Sequence, residues 1–71
     1  MSGETETLWV FLDLMIDGSA LIFDIDLEIA SFAMMAALVA AERLGISDDA
    51  AYRLRDSALA EKRNSGTARR A

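Results

Sequence analysis

Residues 8–29 read LWVFLDLMIDGSALIFDIDLEI, and this stretch decides which fold the sequence predicts. Asp17 and Gly18 stand between two apolar runs. An Asp-Gly pair is a preferred loop of a tight β-hairpin, because its turn needs φ > 0 at both central residues. With that loop, one face of the hairpin consists of the cross-strand pairs Ile16–Ser19, Leu14–Leu21, Leu12–Phe23, Val10–Ile25 and Leu8–Leu27. A shift of one residue would scatter these apolar residues over both faces. The stretch therefore predicts an antiparallel β-hairpin.

A helix over residues 5–17 is the alternative for the first half of this stretch. Helical spacing of i, i+3 and i+4 connects Leu8, Phe11, Leu12, Met15 and Ile16. Gly18 would then end the helix as its C-cap. We favour the strand because residues 21–29 alternate apolar and acidic side chains, which is typical of a half-buried strand and gives no clean helical face.

The composition changes at Ala30, where ASFAMMAALVAAERLG begins a segment rich in strong helix formers. Its first turns are apolar nearly all round, so we expect this helix to be buried on most of its surface. Gly45 suits its C-cap, and Ser47 suits the N-cap of a second helix over residues 48–63. The predicted order is ββαα, an α+β fold. We expect one small domain over residues 1–64 and a flexible basic tail over residues 65–71.

The composition excludes some chemistry and favours a soluble, cytoplasmic protein. The 71 residues include neither Cys nor His, which excludes disulfides, thiol catalysis and Cys/His zinc sites. The longest uncharged run, residues 29–41, is shorter than the ~20 residues that a bilayer-spanning helix needs. The first residues are acidic, whereas a signal peptide begins with basic residues.

Charge is divided unevenly along the chain. Residues 1–42 contain eight acidic residues and no basic one, whereas residues 43–71 contain seven basic and four acidic residues. The N-terminal part should therefore repel nucleic acid and attract basic surfaces, and the C-terminal part should do the reverse.

The second face of the predicted hairpin is the candidate partner-binding surface. It combines exposed aromatic residues with regularly spaced carboxylates, namely Trp9, Phe11, Asp13, Asp24, Asp26 and Glu28. We expect a homodimer that pairs the hairpin edges into a four-stranded sheet. The expected function is that of a non-enzymatic, small acidic interaction protein. Such a regulator or inhibitor would bind another protein at a basic surface, including one built for nucleic acid.

Residues 37–56, ALVAAERLGISDDAAYRLRD, resemble a helix-turn-helix motif, with Ala41 at the close helix contact, Gly45 in the turn and Leu54 packing back. The resemblance implies, as the alternative function, a dimeric DNA-binding transcriptional regulator. Its DNA contacts would come from the basic residues of the last helix, Arg53, Arg55, Lys62 and Arg63.

The stretch around Asp24 and Asp26 also resembles the first motif of haloacid-dehalogenase-like phosphatases, an apolar strand ending in Asp-x-Asp. That family continues with Gly-Thr, where this chain has Leu27 and Glu28, and it needs a parallel sheet that 71 residues cannot supply. Carboxylates spaced along a straight strand are also too far apart to converge on one metal ion. We therefore expect no enzymatic activity, no metal, no cofactor, no small-molecule substrate and no membrane contact.

Overall fold

The computed structural model consists of three helices, and it describes the backbone of residues 3–70 and the side chains of residues 3–64. The helices are α1 (Gly3–Ile22), α2 (Leu27–Leu44) and α3 (Asp48–Arg70). Residues 3–70 contain no strand. The predicted α+β fold is therefore wrong, and so are the β-hairpin and the four-stranded sheet of the expected dimer.

The predicted hairpin turn, Asp17-Gly18, lies inside α1. The buried residues of α1 are Leu12, Ile16, Ser19 and Ala20, which follow the three- and four-residue spacing of one helix face. A two-stranded hairpin is marginal by itself, whereas a helix satisfies its backbone hydrogen bonds within the segment. The buried stripe of α1 packs against the core residues of α2. Residues 3–22 therefore form a helix instead of half of a hairpin.

The acidic residues that suggested a strand belong to the connection between α1 and α2. Asp24 lies in the turn, and Asp26 is the N-cap of α2, where its side chain accepts a hydrogen bond of 3.1 Å from the backbone N–H of Ile29. Glu28 lies in the first turn of α2, where the helix dipole favours negative charge. The alternation of residues 21–29 therefore reflects a turn and a helix cap.

The predicted caps around the second connection are confirmed. Gly45 has the left-handed φ of 78° and ends α2, with hydrogen bonds from Gly45 N–H to the Glu42 carbonyl (3.1 Å) and from Ile46 N–H to the Ala41 carbonyl (2.8 Å). The hydroxyl of Ser47 accepts a hydrogen bond of 3.2 Å from Ala50 N–H. Both predicted helices exist, and the end of the first and the start of the second are confirmed, but α2 begins at Leu27 instead of residue 30 and α3 continues beyond residue 63 to Arg70.

Small side chains hold α1 and α2 together as an antiparallel pair. The core joins Leu12 and Ile16 of α1 to one large residue and several alanines, namely Met34, Ala37, Ala40, Ala41 and, from α3, Ala51. The buried Ser19 hydroxyl donates a hydrogen bond of 2.8 Å to the Ala30 carbonyl. Because alanine and serine are short, the two helices can approach closely along this line.

The third helix runs beside α1 in the same direction. Ala51, near the start of α3, is in the core with Leu12, and Lys62 lies at the end of α1, where its Nζ donates hydrogen bonds of 3.0 Å to the carbonyls of Ala20 and Leu21. Lys62 Nζ is also 3.6 Å from a carboxylate oxygen of Asp24. The backbone of α3 remains helical to Arg70. The side chains of residues 65–71 lie outside the described residues, so the flexible basic tail stays a prediction.

Candidate interaction surface

Large apolar side chains are concentrated on the surface of α1, α2 and the turn between them. Side chains that are at least 40% exposed are Trp9, Val10, Phe11, Leu14, Leu21, Ile25, Leu27, Ile29, Phe32, Met35, Val39, Tyr52 and Leu54. All but the last two precede α3. Several large side chains of α2 are exposed, so this helix is not buried on most of its surface as the sequence predicts. An apolar surface this extensive on a small domain is typical of an interaction site.

One side of the α1–α2 pair is covered by α3. On α1, Asp17 and Ala20 line a groove with Ala58 and Lys62 of α3. On α2, side chains near α3 include Ser31 and Leu38, which line a groove of about 150 Å³ with Tyr52 and Arg55.

The opposite side of the pair carries no charged residue over most of its length. Positions two residues from those that face α3 point the other way, because two residues correspond to a rotation of about 200° around a helix. We call this surface the uncharged face, and its residues are Leu8, Phe11, Met15, Gly18 and Ile22 of α1 and Ile29, Ala33 and Ala36 of α2, with the core residue Ala40 buried at its inner edge. On both helices these residues repeat at intervals of three and four, as they do in helices that pack against other helices.

The two helices contribute side chains of different size to the uncharged face. The α1 half is mostly large, with Phe11 41% exposed, whereas the α2 half after Ile29 is built from alanines. Further apolar residues flank it, with Val10 and Leu14 along the outer edge of α1 and Phe32 and Val39 along that of α2, whereas Leu21 and Met35 line the grooves beside α3. The face is therefore ridged on one half and shallow on the other.

Charged residues mark one end of the uncharged face. Glu4 continues the α1 half one turn before Leu8, and Arg43 continues the α2 half after Ala40, so both lie at the same end of the antiparallel pair. Both are exposed, and neither forms an ion pair with another described side chain. Arg43 is the only basic residue that precedes Arg53 in the chain.

The structure separates the residues predicted to bind a partner. Trp9, Phe11 and Asp13 are exposed on α1, while Asp24, Asp26 and Glu28 lie at the connection to α2. No acidic ribbon unites them, because the hairpin that would have aligned them does not exist. Of the six, only Phe11 belongs to the uncharged face. The role of the alanines of α2 could not be predicted from sequence, because their helix is apolar nearly all round.

The four basic residues of the helix-turn-helix interpretation have different roles in the fold. The guanidinium of Arg55 lies 5.8 Å from the centre of the Phe23 ring and 5.2 Å from that of Tyr52, a cation–π arrangement that joins α3 to the turn. Its Nε is buried, with no hydrogen-bond partner in the described part of the chain. Lys62 is hydrogen-bonded to the end of α1. Arg53 and Arg63 are exposed.

Among the residues that the structure describes, no three Asp or Glu side chains come together in a way that would hold a metal ion. None of the helices, over the same residues, has the length and apolar character needed to cross a bilayer.

Comparisons with protein-family models, with curated proteins and with solved structures found no match to this chain.

Proposed function

We propose that this protein is a non-enzymatic interaction protein, a regulator that docks its uncharged face onto apolar side chains of another polypeptide. The observation that carries this proposal is the face itself, which is uncharged from Leu8 to Ile22 on α1 and from Ile29 to Ala40 on α2. Its three- and four-residue repeat favours a helical surface as the binding partner.

The energetics favour a partner that covers the face along its whole length. Burying a fully exposed Leu, Ile, Phe or Met side chain gains about 1.5–3 kcal/mol, so a half-exposed one such as Phe11 or Ile29 gains about 1 kcal/mol. Association costs an estimated 4–15 kcal/mol in lost freedom of motion. A contact at one end of the face would not offset this cost, whereas the face and its apolar flanks together can.

Charge contributes to the choice of partner. The first 42 residues contain eight acidic side chains and no basic one, so a partner with basic residues around its apolar site would associate faster. Binding through an acidic hairpin is not part of the proposal. DNA binding has less support than protein binding, because Arg55 and Lys62 already contact the rest of the fold.

The proposal is tested by immobilising the full chain and identifying the proteins that it retains from an extract of its source cells. Phe11→Glu places a charge on the uncharged face. Leu54→Glu is the matched control, because Leu54 lies on α3 and is 43% exposed, close to the 41% of Phe11. We expect specific proteins to be retained by the wild type and by the control but not by Phe11→Glu. Equal retention by all three chains would contradict the proposal.

A further inference from the structure

We infer that a second copy of this chain covers the uncharged face in the free protein, with α1 of each copy lying on α2 of the other. The inference rests on the proposed function, because it names an occupant for the same face. The two copies would be related by a two-fold axis parallel to the helices, which gives a four-helix core with α3 on each outer side.

Side-chain size favours this occupant. The α1 half of the face presents large residues, the exposed Phe11 and the half-buried Leu8, Met15 and Ile22, and the α2 half presents the half-buried Ala33 and Ala36 above the buried Ala40. A partner must therefore offer small residues opposite α1 and large ones opposite α2, because well-packed helices interdigitate large with small side chains. A second copy meets both requirements at once when α1 lies on α2. With α1 on α1, large residues would oppose large ones.

The register within one copy shows which residues would meet. The Ser19–Ala30 hydrogen bond fixes the heights of the antiparallel helices, so that Phe11 lies level with Leu38 and Met15 lies level with Met34. A two-fold rotation about an axis parallel to the helices preserves these heights. Phe11 of one copy therefore faces the gap between Ala36 and Ala40 of the second copy, and Met15 faces the gap between Ala33 and Ala36.

The charges at the end of the face are complementary in this arrangement. Glu4 lies level with Gly45, two residues or about 3 Å from the height of Arg43. The rotation brings Glu4 of one copy beside Arg43 of the second copy, and the symmetry repeats the pair. Both side chains are exposed and lack an ion pair within the described part of one copy. An axis perpendicular to the helices would instead bring Arg43 towards Glu28 of the second copy.

The mass of the purified full chain is the first test. Sedimentation equilibrium over a series of protomer concentrations should show a dimer. Phe11→Glu should raise its dissociation constant at least about 30-fold, as expected for a central interface residue, while the chain stays helical by circular dichroism. The control Leu54→Glu should leave dimerisation unchanged. A wild-type chain that is monomeric at about 200 μM, or equal effects of the two variants, would overturn the inference.

Charge reversal tests the arrangement independently of Phe11. Arg43→Glu should weaken the dimer about tenfold, because it places like charges together at two symmetric positions. Adding Glu4→Arg should restore the affinity. The matched control adds Glu28→Arg, which places the same charge in the first turn of a helix, and it should not restore the affinity. Restoration by Glu28→Arg alone would show that the axis is perpendicular to the helices and would overturn the arrangement.

The two proposals fail in different ways. A monomeric wild type whose retention of other proteins depends on Phe11 would overturn only the second copy as occupant. A dimer that retains no other protein would support the second copy and contradict the binding of a different polypeptide.

Discussion

Lys62 provides a direct test of the position of α3, on which the definition of the uncharged face depends. Helix α1 has no basic residue in its last turn, and its carbonyls at Ala20 and Leu21 accept hydrogen bonds of 3.0 Å from Lys62 Nζ. Lys62→Met keeps a long apolar stem and removes the donor and the charge. We expect the free energy of unfolding to fall, because this end of α1 loses a cap supplied from more than 40 positions away in the sequence.

The magnitude follows from the exposure of the group. A hydrogen bond to a charged group contributes about 1.5–3 kcal/mol in mutational series, and a cation at a helix C-terminus contributes about 0.3–1 kcal/mol. The Lys62 side chain is 36% exposed, so water can replace part of what is lost. The ion pair with the largely exposed Asp24 adds little. We therefore expect a loss of about 1–2 kcal/mol, which is roughly 5–15 °C in Tm for a domain of this size.

Urea and thermal unfolding, followed by far-ultraviolet circular dichroism, provide the assay. All chains are compared at one protomer concentration, because dimerisation would add to the apparent stability. Arg53→Met is the matched control, since Arg53 is an exposed basic residue of the same helix, and its effect should stay within about 0.5 kcal/mol. If Lys62→Met were no more destabilising than Arg53→Met, α3 would not cap α1, and the side of the α1–α2 pair that it covers would have to be reassigned.

Three further substitutions test the fold by unfolding measurements. Gly18→Ala should stabilise the monomer by about 1 kcal/mol, because Gly18 lies in a helix and an added Cβ meets no atom within 4 Å. If Gly18 lay in a hairpin turn, the same substitution would destabilise the protein. Both chains are compared below the concentration at which the protein dimerises. Gly45→Ala should cost about 1 kcal/mol or more, because φ is 78° at this position, and a smaller cost would contradict the left-handed cap. Leu12→Ala should cost about 2–5 kcal/mol, because Leu12 is fully buried in the core, and a change below 1 kcal/mol would contradict its burial.

The second half of the chain could be predicted from sequence because its signals are local. Gly45 and Ser47 perform their capping roles with atoms of the nearest residues. Residues 30–44 contain strong helix formers and a single β-branched residue, Val39, so their composition favours a helix and gives no support to a strand. Where the preferences of neighbouring residues agree, as they do at Gly45 and Ser47, a single sequence is enough to place the end of one helix and the start of the next.

The first half was predicted wrongly because two periodicities fit the same residues. Leu8, Leu12 and Ile16 lie on one face of the imagined hairpin, and they also follow the four-residue spacing of one helix face. Asp17-Gly18 and the alternation of apolar and acidic side chains in residues 21–29 favour the hairpin, although Gly18 is tolerated inside α1 at a cost of about 1 kcal/mol. What decides for the helix is the alanine-rich side of α2, which offers α1 a close packing surface. That contact is non-local, and no local pattern reveals it.

The candidate site depends on the same non-local information. Phe11 is exposed, which is consistent with its prediction from sequence as a partner-binding residue. However, α1 and α2 are apolar around most of their circumference, so their sequences do not show which side of the helix pair α3 leaves uncovered. That choice is made by α3, which is held on one side through Lys62 at the end of α1 and through Arg55 between two rings. Once α3 is placed, the opposite side follows from helical geometry. The large residues of α1 and the alanines of α2 then become two complementary halves of one surface.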